Sequence, residues 1–437
     1  MDYTEGLKTS RSKELYKRSC NIIPAGASSH IRTYPTWDPY PIFFERGEGS
    51  HFWDVDGNEY IDYPLGLGPL IHGHTPRNVI NAVKEQLEKG TMPSLNTELE
   101  IKTAEKIGKI VPNAEMVVFT NTGLEATLHA IRYARGYTGK DKIVKFEGGY
   151  HGAHDGVLVS IGNFAGNPTA PYRVLESWGV LEDTARNTLI LPWNDLEVLE
   201  KTIERRNHEI AAVISEPILM NIGTVLPEKG YLEGMRKITE ENGVVMILDE
   251  VISGFRLALG GAQEYYGIKP DLAIYAKALG AGYPIAAITG KKMIMDLVRP
   301  GMIRQSGTYA ANPLCLSAAY ASITELEKGG IKHIMRMGNM LMEGIREILD
   351  KKNVEAIVQG LDGAGLQIYF TELDRIRNLR ETKTCDVKKW SKFQKGLLKR
   401  GIYFHPAAFE HQFISTAHTE EDIKTTLSAI SQAIELM

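Results

Sequence analysis

The stretch that decides the fold reads Val244-Val-Met-Ile-Leu-Asp249-Glu250 and, after a polar, glycine-containing interval, Leu272-Ala-Ile-Tyr-Ala-Lys277-Ala-Leu-Gly-Ala-Gly282. Each short apolar run is bounded by turn signals, which predicts a buried strand of a parallel sheet. Ligands of an open parallel sheet lie outside the carboxyl ends of its strands. Asp249 and Lys277 follow these two runs, so we expect both side chains at one ligand-binding crevice.

Further apolar runs alternate with helical patterns along the chain. They cover residues 116–119, 142–146 and 210–215. This alternation predicts crossover units, and therefore an α/β fold class with a mostly parallel sheet. The residues before Pro69 are rich in Pro, Gly and aromatic types, with a hairpin signal at Asp56-Gly-Asn58. We predict an N-terminal segment (1–69) that packs with the small domain, a large domain (70–320) and a small C-terminal α+β domain (321–437).

The composition of the chain excludes several classes of function. The 437 residues are 43% hydrophobic and 24% charged, as in ordinary globular proteins, and the net charge is −4. This charge argues against nucleic-acid or membrane-surface partners, because no basic excess is available to neutralise phosphates. No apolar run is long enough to span a membrane, and the N-terminus lacks a secretion signal. The three cysteines are scattered, so we expect a cytoplasmic protein without a disulfide framework.

Two segments have the character of cofactor-binding turns. In Phe119-Thr-Asn-Thr122-Gly123-Leu124-Glu125, a glycine and hydroxyl side chains open a helical pattern, which suits a phosphate cradle. An ordinary N-cap turn would have the same appearance. Tyr150 follows a strand and a Gly-Gly turn, where an aromatic ring can stack on a cofactor or pack against the sheet edge.

Lys277 lies between an apolar run and a glycine turn, a setting that removes water from the amine and favours its reaction with carbonyl groups. A pyridoxal phosphate (PLP) enzyme needs such an amine for its Schiff base and a carboxylate to keep the pyridine nitrogen protonated. Taken singly, Lys277 could be a surface lysine and Asp249 a helix cap. Together with the cradle and Tyr150 they predict a PLP site.

The chain resembles the class III (fold-type I) PLP-dependent aminotransferases, in the branch that contains glutamate-1-semialdehyde 2,1-aminomutase. The resemblance covers nearly the whole chain and is carried by blocks such as Pro24-Ala-Gly-Ala-Ser-Ser-His-Ile-Arg32, Asp249-Glu-Val-Ile-Ser-Gly-Phe-Arg256, Gly307-Thr308-Tyr-Ala-Ala-Asn-Pro313 and Phe409-Glu410. It implies a large domain with a mostly parallel sheet of the seven-stranded type, a smaller α+β domain, PLP as cofactor, and a homodimer with shared active sites.

The resemblance also implies roles for individual residues around the cofactor. Lys277 forms the Schiff base and moves the substrate proton, and Asp249 pairs with the pyridinium nitrogen. Val251 and Tyr150 pack on opposite faces of the ring. The phosphate-binding turn is formed by Thr122, Gly123 and Leu124.

Four further roles complete the implied site. Thr308 reaches the phosphate held by the neighbouring subunit, and Glu216 lies near the cofactor. Arg32 clamps the substrate carboxylate, a bidentate task suited to guanidinium. Glu410 faces the amine end of the pocket.

Departures from the branch bear on the reaction. Leu124 replaces a threonine of the mutase phosphate turn, and the gating loop of the mutase is not recognisable in residues 161–168. The mutase needs a lid to retain its intermediate, whereas the retained Arg32 and Glu410 argue for the mutase. We therefore expect an aminotransferase that moves an amino group between a carboxylate-bearing amino acid and an oxo acid, with the aminomutase as the alternative.

Two other classes of function stay open at this point. His72, His74, His151 and His154 could bind the metal of a hydrolase, although we expect no metal. A non-catalytic binding protein on the same fold would have no chemical need for Lys277 and Asp249.

Overall fold

The computed structural model describes residues 4–437. The first three residues of the predicted N-terminal segment, where a secretion signal would begin, lie outside the described residues. The chain divides into two compact units: one takes the described part of Met1–Pro76 with Lys332–Arg375 and Thr384–Met437, and the other takes Arg77–Ile331 with Ile376–Lys383. The domain bounds taken from the sequence, 1–69, 70–320 and 321–437, stay a prediction.

The strands are β1 (Phe44–Glu48), β2 (His51–Asp54), β3 (Glu59–Asp62), β4 (Met116–Thr120), β5 (Lys142–Phe146), β6 (Ala165–Asn167), β7 (Ala170–Tyr172), β8 (Thr188–Leu191), β9 (Ile210–Ser215), β10 (Val245–Glu250), β11 (Leu272–Tyr275), β12 (Ala286–Gly290), β13 (Ile357–Gly360), β14 (Gly365–Tyr369), β15 (Ile402–Tyr403) and β16 (Gln412–Phe413). The α-helices are α1 (Ser10–Ser19), α2 (Arg77–Lys89), α3 (Glu98–Ile110), α4 (Gly123–Thr138), α5 (Glu182–Ala185), α6 (Leu196–Arg206), α7 (Tyr231–Glu241), α8 (Ala262–Tyr266), α9 (Lys292–Met295), α10 (Pro313–Glu325), α11 (Ile331–Lys351), α12 (Leu379–Thr382), α13 (Val387–Leu398) and α14 (Glu420–Ile434). Turns of 3-10 helix span Pro24–Gly26, His30–Arg32 and Lys277–Gly280, and a π turn spans Leu326–Gly330. Within residues 4–437, no helix has the length and apolar character needed to cross a membrane.

The second unit is built on a seven-stranded sheet with the strand order β4-β12-β11-β10-β9-β5-β8. The strands from β11 to β8 pair in parallel, and β12 pairs antiparallel with both β11 and β4. The α/β class with a mostly parallel sheet is therefore confirmed. The runs at 116–119, 142–146 and 210–215 are strands as predicted, whereas β8 and β12 were not anticipated from the sequence.

The core of this unit explains the near-continuous apolar runs. Strands β9 and β10 are buried along their whole length, as expected for parallel strands covered on both faces. Helix α4 packs on one face through small side chains, among them Ala126, Ala130 and Ala134. Small residues let the helix approach the sheet closely, so the helix start and the strand ends are fixed relative to one another.

The first unit combines strands from both ends of the chain. Strands β1, β2, β3 and β15 form one sheet, and β13, β14 and β16 form another. The hairpin predicted at Asp56-Gly-Asn58 joins the antiparallel strands β2 and β3, and Gly57 adopts a φ of +86° there. Strand β3 also pairs in parallel with β15, so the N-terminal segment shares a sheet with the C-terminal part of this unit.

Asp422 fixes the start of α14 to β2 within the first unit. Its carboxylate accepts hydrogen bonds from Ser50 Oγ (2.9 Å), His51 Nε2 (3.0 Å) and the backbone N–H of Thr419 (2.8 Å), the last as part of a capping box. Burial alone would raise the pKa of Asp422, but the bonds from His51, Thr419 and Ser50 outweigh it and hold that pKa well below its ordinary value. The hydrogen bond to Asp422 raises the pKa of His51 in turn.

Substitution Asp422→Ala should destabilise the protein by about 2 kcal/mol, because a helix cap and a buried acceptor are lost together. Protonated His51 adds to the free energy of unfolding through its bond to Asp422. This contribution is fully present below the unfolded pKa of His51, about 6.5, and is lost as the pH rises through its raised folded pKa. The stability difference between wild type and variant should therefore be larger at about pH 6 than at about pH 9. Calorimetric unfolding at both pH values measures it.

Asp386→Ala is the matched control, because Asp386 caps α13 in the same unit by accepting the N–H groups of Lys388 and Lys389. This variant should lose a similar capping contribution with little dependence on pH over the same range. Equal pH dependence in the two variants would contradict the assigned role of His51.

Candidate active site

The turn between β4 and α4 is shaped to receive an anion. Thr122 caps α4, with Oγ1 accepting a hydrogen bond from the N–H of Glu125 (3.1 Å). A Cβ added at Gly123 would stand 2.9 Å from Val251 Cγ2, so only glycine fits between the helix start and Val251. Leu124, the next residue, is partly exposed at the first turn of the helix. Backbone N–H groups and the helix dipole at such a position favour a phosphate.

Asp249 is a buried carboxylate at the carboxyl end of β10. Its Oδ1 accepts the N–H of Val251 (3.0 Å), and its Oδ2 lies 2.8 Å from Nδ1 of His151. The two contacts fix the plane of the carboxylate. Because Val251 also contacts Gly123, the acid and the phosphate turn are held at the same edge of the sheet.

Lys277 directly follows the neighbouring strand and begins the 3-10 turn Lys277–Gly280. In the parallel pairing of β10 with β11, Glu250 lies opposite Tyr275, so Asp249 and Lys277 emerge at the same strand ends. The φ of Lys277 is +44°, in the left-handed region that residues with a side chain rarely adopt. Such backbone strain costs on the order of 1 kcal/mol and is typical of functional positions.

Glu216 connects Tyr150 to the loop that follows β9. Its buried carboxylate accepts the N–H of Tyr150 (3.0 Å), the N–H of Met220 (3.0 Å) and Nδ2 of Asn221 (3.0 Å). Burial, and then the charge of Asp249, raise the pKa of Glu216 to about 7. Burial and the charge of Asp249 likewise raise the pKa of Tyr150. The sequence placed Glu216 near the cofactor, and the structure adds that it positions the backbone of Tyr150.

His151 is the residue of this site whose role was missed from the sequence. It is fully buried, and burial lowers its pKa in spite of the opposing effect of Asp249. A neutral imidazole facing a carboxylate carries its proton on Nδ1 and donates it to Asp249. The signal available in the sequence was that His151 directly follows Tyr150, close to the end of a predicted strand. That strand, β5, lies two places from β10 in the sheet.

Three of the four histidines considered as metal ligands have other partners. His74 Nε2 contacts Asp62 (2.8 Å) and His72 Nδ1 contacts Thr416 (3.2 Å), both within the first unit. His151 contacts Asp249 in the second unit. Among residues 4–437, no group of three or more His, Cys, Asp or Glu side chains is arranged to hold a metal ion.

Residues 161–168, where the gating loop was not recognised, belong to the β6–β7 hairpin and its approach. Residues 161–172 are here called the hairpin segment. Arg380 donates to the carbonyls of Gly166 (2.9 Å) and Ala165 (3.3 Å) and forms a bidentate pair with the buried Glu147 (2.9 and 3.0 Å). The base of the segment is bound as well, because Ser160 O accepts the N–H of Gly148 (3.0 Å). The hairpin segment is thus attached to the strand end that leads to Tyr150.

The three remaining predicted site residues, Thr308, Arg32 and Glu410, lie far from one another in the sequence. Thr308 is exposed in the second unit, and a Cβ added at the neighbouring Gly307 would stand 4.0 Å from Asn121 Nδ2, close to the phosphate turn. Arg32 ends the turn His30–Arg32 of the first unit. Glu410 lies in a loop of that same unit, where its N–H donates to Ala407 O (3.2 Å). The substrate contacts of Arg32 and Glu410 stay predictions.

Comparison with known proteins bears on the class of enzyme. The family model Aminotransferase class-III matches residues 33–434. The glutamate-1-semialdehyde 2,1-aminomutase of Methanosphaera stadtmanae is 44% identical over 430 residues, which are 98% of this chain and 99% of that protein. Among solved structures, an omega-transaminase from Sphaerobacter thermophilus superposes with a TM-score of 0.92 at 30% identity and covers 98% of both chains.

A second solved structure, a transaminase with PLP bound, superposes with a TM-score of 0.88 at 29% identity over 98% of this chain and 97% of that chain. The predicted resemblance and the predicted enzyme class are confirmed by the family match over most of the chain. This protein belongs to the class III aminotransferases, the PLP-dependent family of transaminases and aminomutases.

Proposed function

We propose that this enzyme moves the amino group of glutamate 1-semialdehyde from carbon 2 to carbon 1, as an aminomutase with PLP as its cofactor. The observation that carries the proposal is the attachment of the hairpin segment through Glu147 and Arg380 beside Tyr150. The 44% identity to a named aminomutase over nearly the full length of both chains supports the same choice. Aminotransfer between two molecules, the reaction favoured from the sequence, is the second candidate within the same confirmed class.

The residues at the strand ends fit the cofactor. The oriented carboxylate of Asp249 suits a protonated pyridine nitrogen, and neutral His151 donates to that carboxylate without adding a competing charge. The glycine at 123 allows a phosphate to approach the start of α4. When bound, PLP supplies an electron sink for the negative charge that develops at the substrate carbon.

We assign Lys277 the covalent attachment of the cofactor and the transfer of the substrate proton. The backbone of Lys277 is strained at the end of β11, and such strain is typical of functional positions. Tyr150 is assigned to one face of the cofactor ring and Val251 to the other. Glu216 supports the first assignment, because it fixes the backbone of Tyr150.

Arg32 and Glu410 are assigned to the substrate. The guanidinium of Arg32 offers paired donors for the carboxylate of the semialdehyde. Glu410 offers an acceptor for an amine. A substrate that carries both groups needs both recognition elements, whereas simple amines need only the second.

The hairpin segment bears on the choice between the two reactions. An aminomutase must retain its diamino intermediate, which has received one amino group and has yet to release the other. In the sequence, the absence of a recognisable gating loop argued against retention of this intermediate. In the structure the corresponding residues are ordered by Arg380, by Lys383 Nζ on Gly162 O (2.8 Å), and by Glu176 on the N–H groups of residues 161–163. We assign this ordered segment the role of the cover, and the assignment supports the aminomutase.

We further propose a homodimer in which Thr308 of the partner subunit completes the phosphate site. Thr308 and Tyr309 are exposed, and Met92 and Leu95 are exposed nearby, where Asn312 Nδ2 donates to Thr91 O (3.2 Å). Exposed apolar side chains beside a ligand turn favour burial by another chain. A cytoplasmic location and the lack of nucleic-acid or membrane partners are proposed from composition alone.

Glutamate 1-semialdehyde should be converted, with no added oxo acid, into an isomer of the same mass that carries the amino group on carbon 1. The reason is that the donor and the acceptor are carbons of one molecule. Nuclear magnetic resonance of the reaction mixture measures the product. Turnover that requires an added oxo acid and shows no isomer would instead support the intermolecular aminotransferase.

Substitution Asp249→Ala should retain bound PLP but lower kcat roughly 10²–10³-fold, as expected when a charge-stabilising group is removed. The measurements are steady-state turnover and the visible absorption of the bound cofactor. Lys277→Ala is the control: borohydride should fix PLP to the wild type and to Asp249→Ala but not to this variant. Near-normal kcat in Asp249→Ala would overturn the assignment of the acid.

Substitution Arg380→Ala should loosen the hairpin segment, because hydrogen bonds to charged groups contribute about 1.5–3 kcal/mol. Amide hydrogen exchange in residues 161–172 should rise about tenfold or more. A larger share of turnovers should end with release of the diamino intermediate in place of the isomer. Arg377→Ala is the matched control, since Arg377 pairs with Glu381 on the same short segment. Unchanged exchange in Arg380→Ala would contradict the attachment.

A further inference from the structure

Lys145 is a lysine that is buried inside the second unit. It lies on β5, and its relative exposure is 0%. Among the described residues, the one hydrogen-bond partner of its Nζ is the carbonyl oxygen of Val159, at 2.6 Å. Burial lowers the pKa of Lys145 to about 7, although the charges of Glu176, Glu216 and Glu147 oppose this effect. A buried amine with a single bond of this kind contributes little to stability, because its desolvation is costly.

The carbonyl that Lys145 binds belongs to the two short stretches that flank the hairpin segment. Residues 158–160 precede this segment and residues 174–176 follow it, and the two stretches together are here called the stem. They pair antiparallel, and the N–H of Ser160 donates to Val174 O (2.8 Å) while Ser160 Oγ accepts the N–H of Val174 (3.0 Å). The hairpin segment leaves the unit through this stem, so its position depends on where the stem is held.

Lys145 and Glu147 hold the hairpin segment at two different places. The pairing of β5 with β8 continues through the N–H of Glu147, which donates to Leu191 O (3.0 Å). Residues two positions apart on an extended strand point to the same face, so both side chains lie on one side of the strand. Glu147 binds Arg380, which holds the hairpin, and Lys145 binds the stem. One strand end therefore anchors both the base and the hairpin of this segment.

The amine of Lys145 also lies within electrostatic reach of the active site. The charge of Glu216, which fixes the backbone of Tyr150, opposes the effect of burial on the pKa of Lys145. Burial and, more weakly, the charge of Lys145 lower the pKa of His151. The stem itself is bonded to the turn before Tyr150 through the N–H of Gly148. A residue that holds the stem therefore acts on the part of the site that carries Tyr150.

We propose that Lys145 is a positioning residue of the aminomutase reaction, whose hydrogen bond to Val159 holds the stem so that the hairpin segment stays closed over the diamino intermediate. This inference rests on the proposed function, because a reaction that must retain an intermediate needs a closed cover. Loss of the bond would leave the buried carbonyl of Val159 without its donor. The carbonyl could then reach water only by opening of the stem, and this gain favours the open form.

Substitution Lys145→Met nearly keeps the volume of the side chain but removes both the donor and the charge. The share of first turnovers that release the diamino intermediate and the amide exchange in the stem should each rise about fivefold, as expected for one lost hydrogen bond. The unfolding temperature should not fall, because replacing a buried charge by an apolar side chain is often neutral or stabilising. Mass spectrometry of the reaction mixture, hydrogen exchange and calorimetry of the PLP-loaded enzyme measure these quantities.

Lys145→Gln separates the hydrogen bond from the charge. Its amide can donate to Val159 O but carries no charge, so this variant should release the intermediate as seldom as the wild type and should keep slow exchange in the stem. Lys142→Met is the matched control, since Lys142 begins the same strand but pairs with Glu209, away from the stem. Its released share and its exchange in the stem should equal those of the wild type.

An unchanged share of released intermediate in Lys145→Met would overturn the proposal. A variant that does not fold, or that unfolds at a clearly lower temperature, would overturn it as well, because Lys145 would then support the whole unit and not the cover. Equal release by Lys145→Met and Lys145→Gln would contradict the role of the hydrogen bond. A wild type that forms no isomer would refute the proposed function, whereas unchanged exchange in the stem of Lys145→Met would refute the attachment in either case.

Discussion

The hydrogen bond of 2.8 Å between His151 and the buried carboxylate of Asp249 is the interaction on which the rest of the site depends. A carboxylate in a dry environment is costly unless its oxygens are satisfied. Here one oxygen is held by His151 and the other by the N–H of Val251, and Val251 in turn touches Gly123. Asp249, Val251 and the turn at the start of α4 therefore form one connected structure, and a shift of any of them would move the others.

The next residue on the same strand shows how differently a buried acid can be used. Successive side chains of a strand point to opposite faces, so Glu250 points away from the ligand side. Its carboxylate accepts hydrogen bonds from Ser253 Oγ and from the N–H groups of Ala262 and Gln263 (2.6–2.9 Å), and burial raises its pKa to about 7. Glu250 thus holds the loop after β10 in place, while Asp249 lies on the opposite face of the strand, where we propose that it meets the cofactor.

The sequence predicted those parts of the fold that depend on local pattern. Buried parallel strands were evident because their apolar runs are continuous, and the acid and the lysine stood out because each followed such a run. Strand β12 was missed because Ala286-Ala-Ile-Thr-Gly290 contains mostly small residues, and β8 was missed although Thr188-Leu-Ile-Leu191 is a short apolar run. His151 was considered as a metal ligand because sequence spacing does not reveal that β5 and β10 lie two places apart in the sheet.

Charge pairing over long distances in sequence was the least predictable feature, and the proposed choice of reaction rests on it. Glu147 and Arg380 are 233 residues apart, and neither belongs to a pattern that indicates the other. An unpaired Glu147 would be a buried charge at the strand end that leads to Tyr150, which the protein could not tolerate without a cation. Arg380 supplies that cation and also binds the carbonyls of Ala165 and Gly166, so one side chain both neutralises the acid and holds the hairpin segment. Displacing the hairpin segment together with Arg380 would leave the buried carboxylate of Glu147 without its cation. In the proposed role of the segment as a cover, this cost favours retention of a reacting molecule over its exchange with a second one.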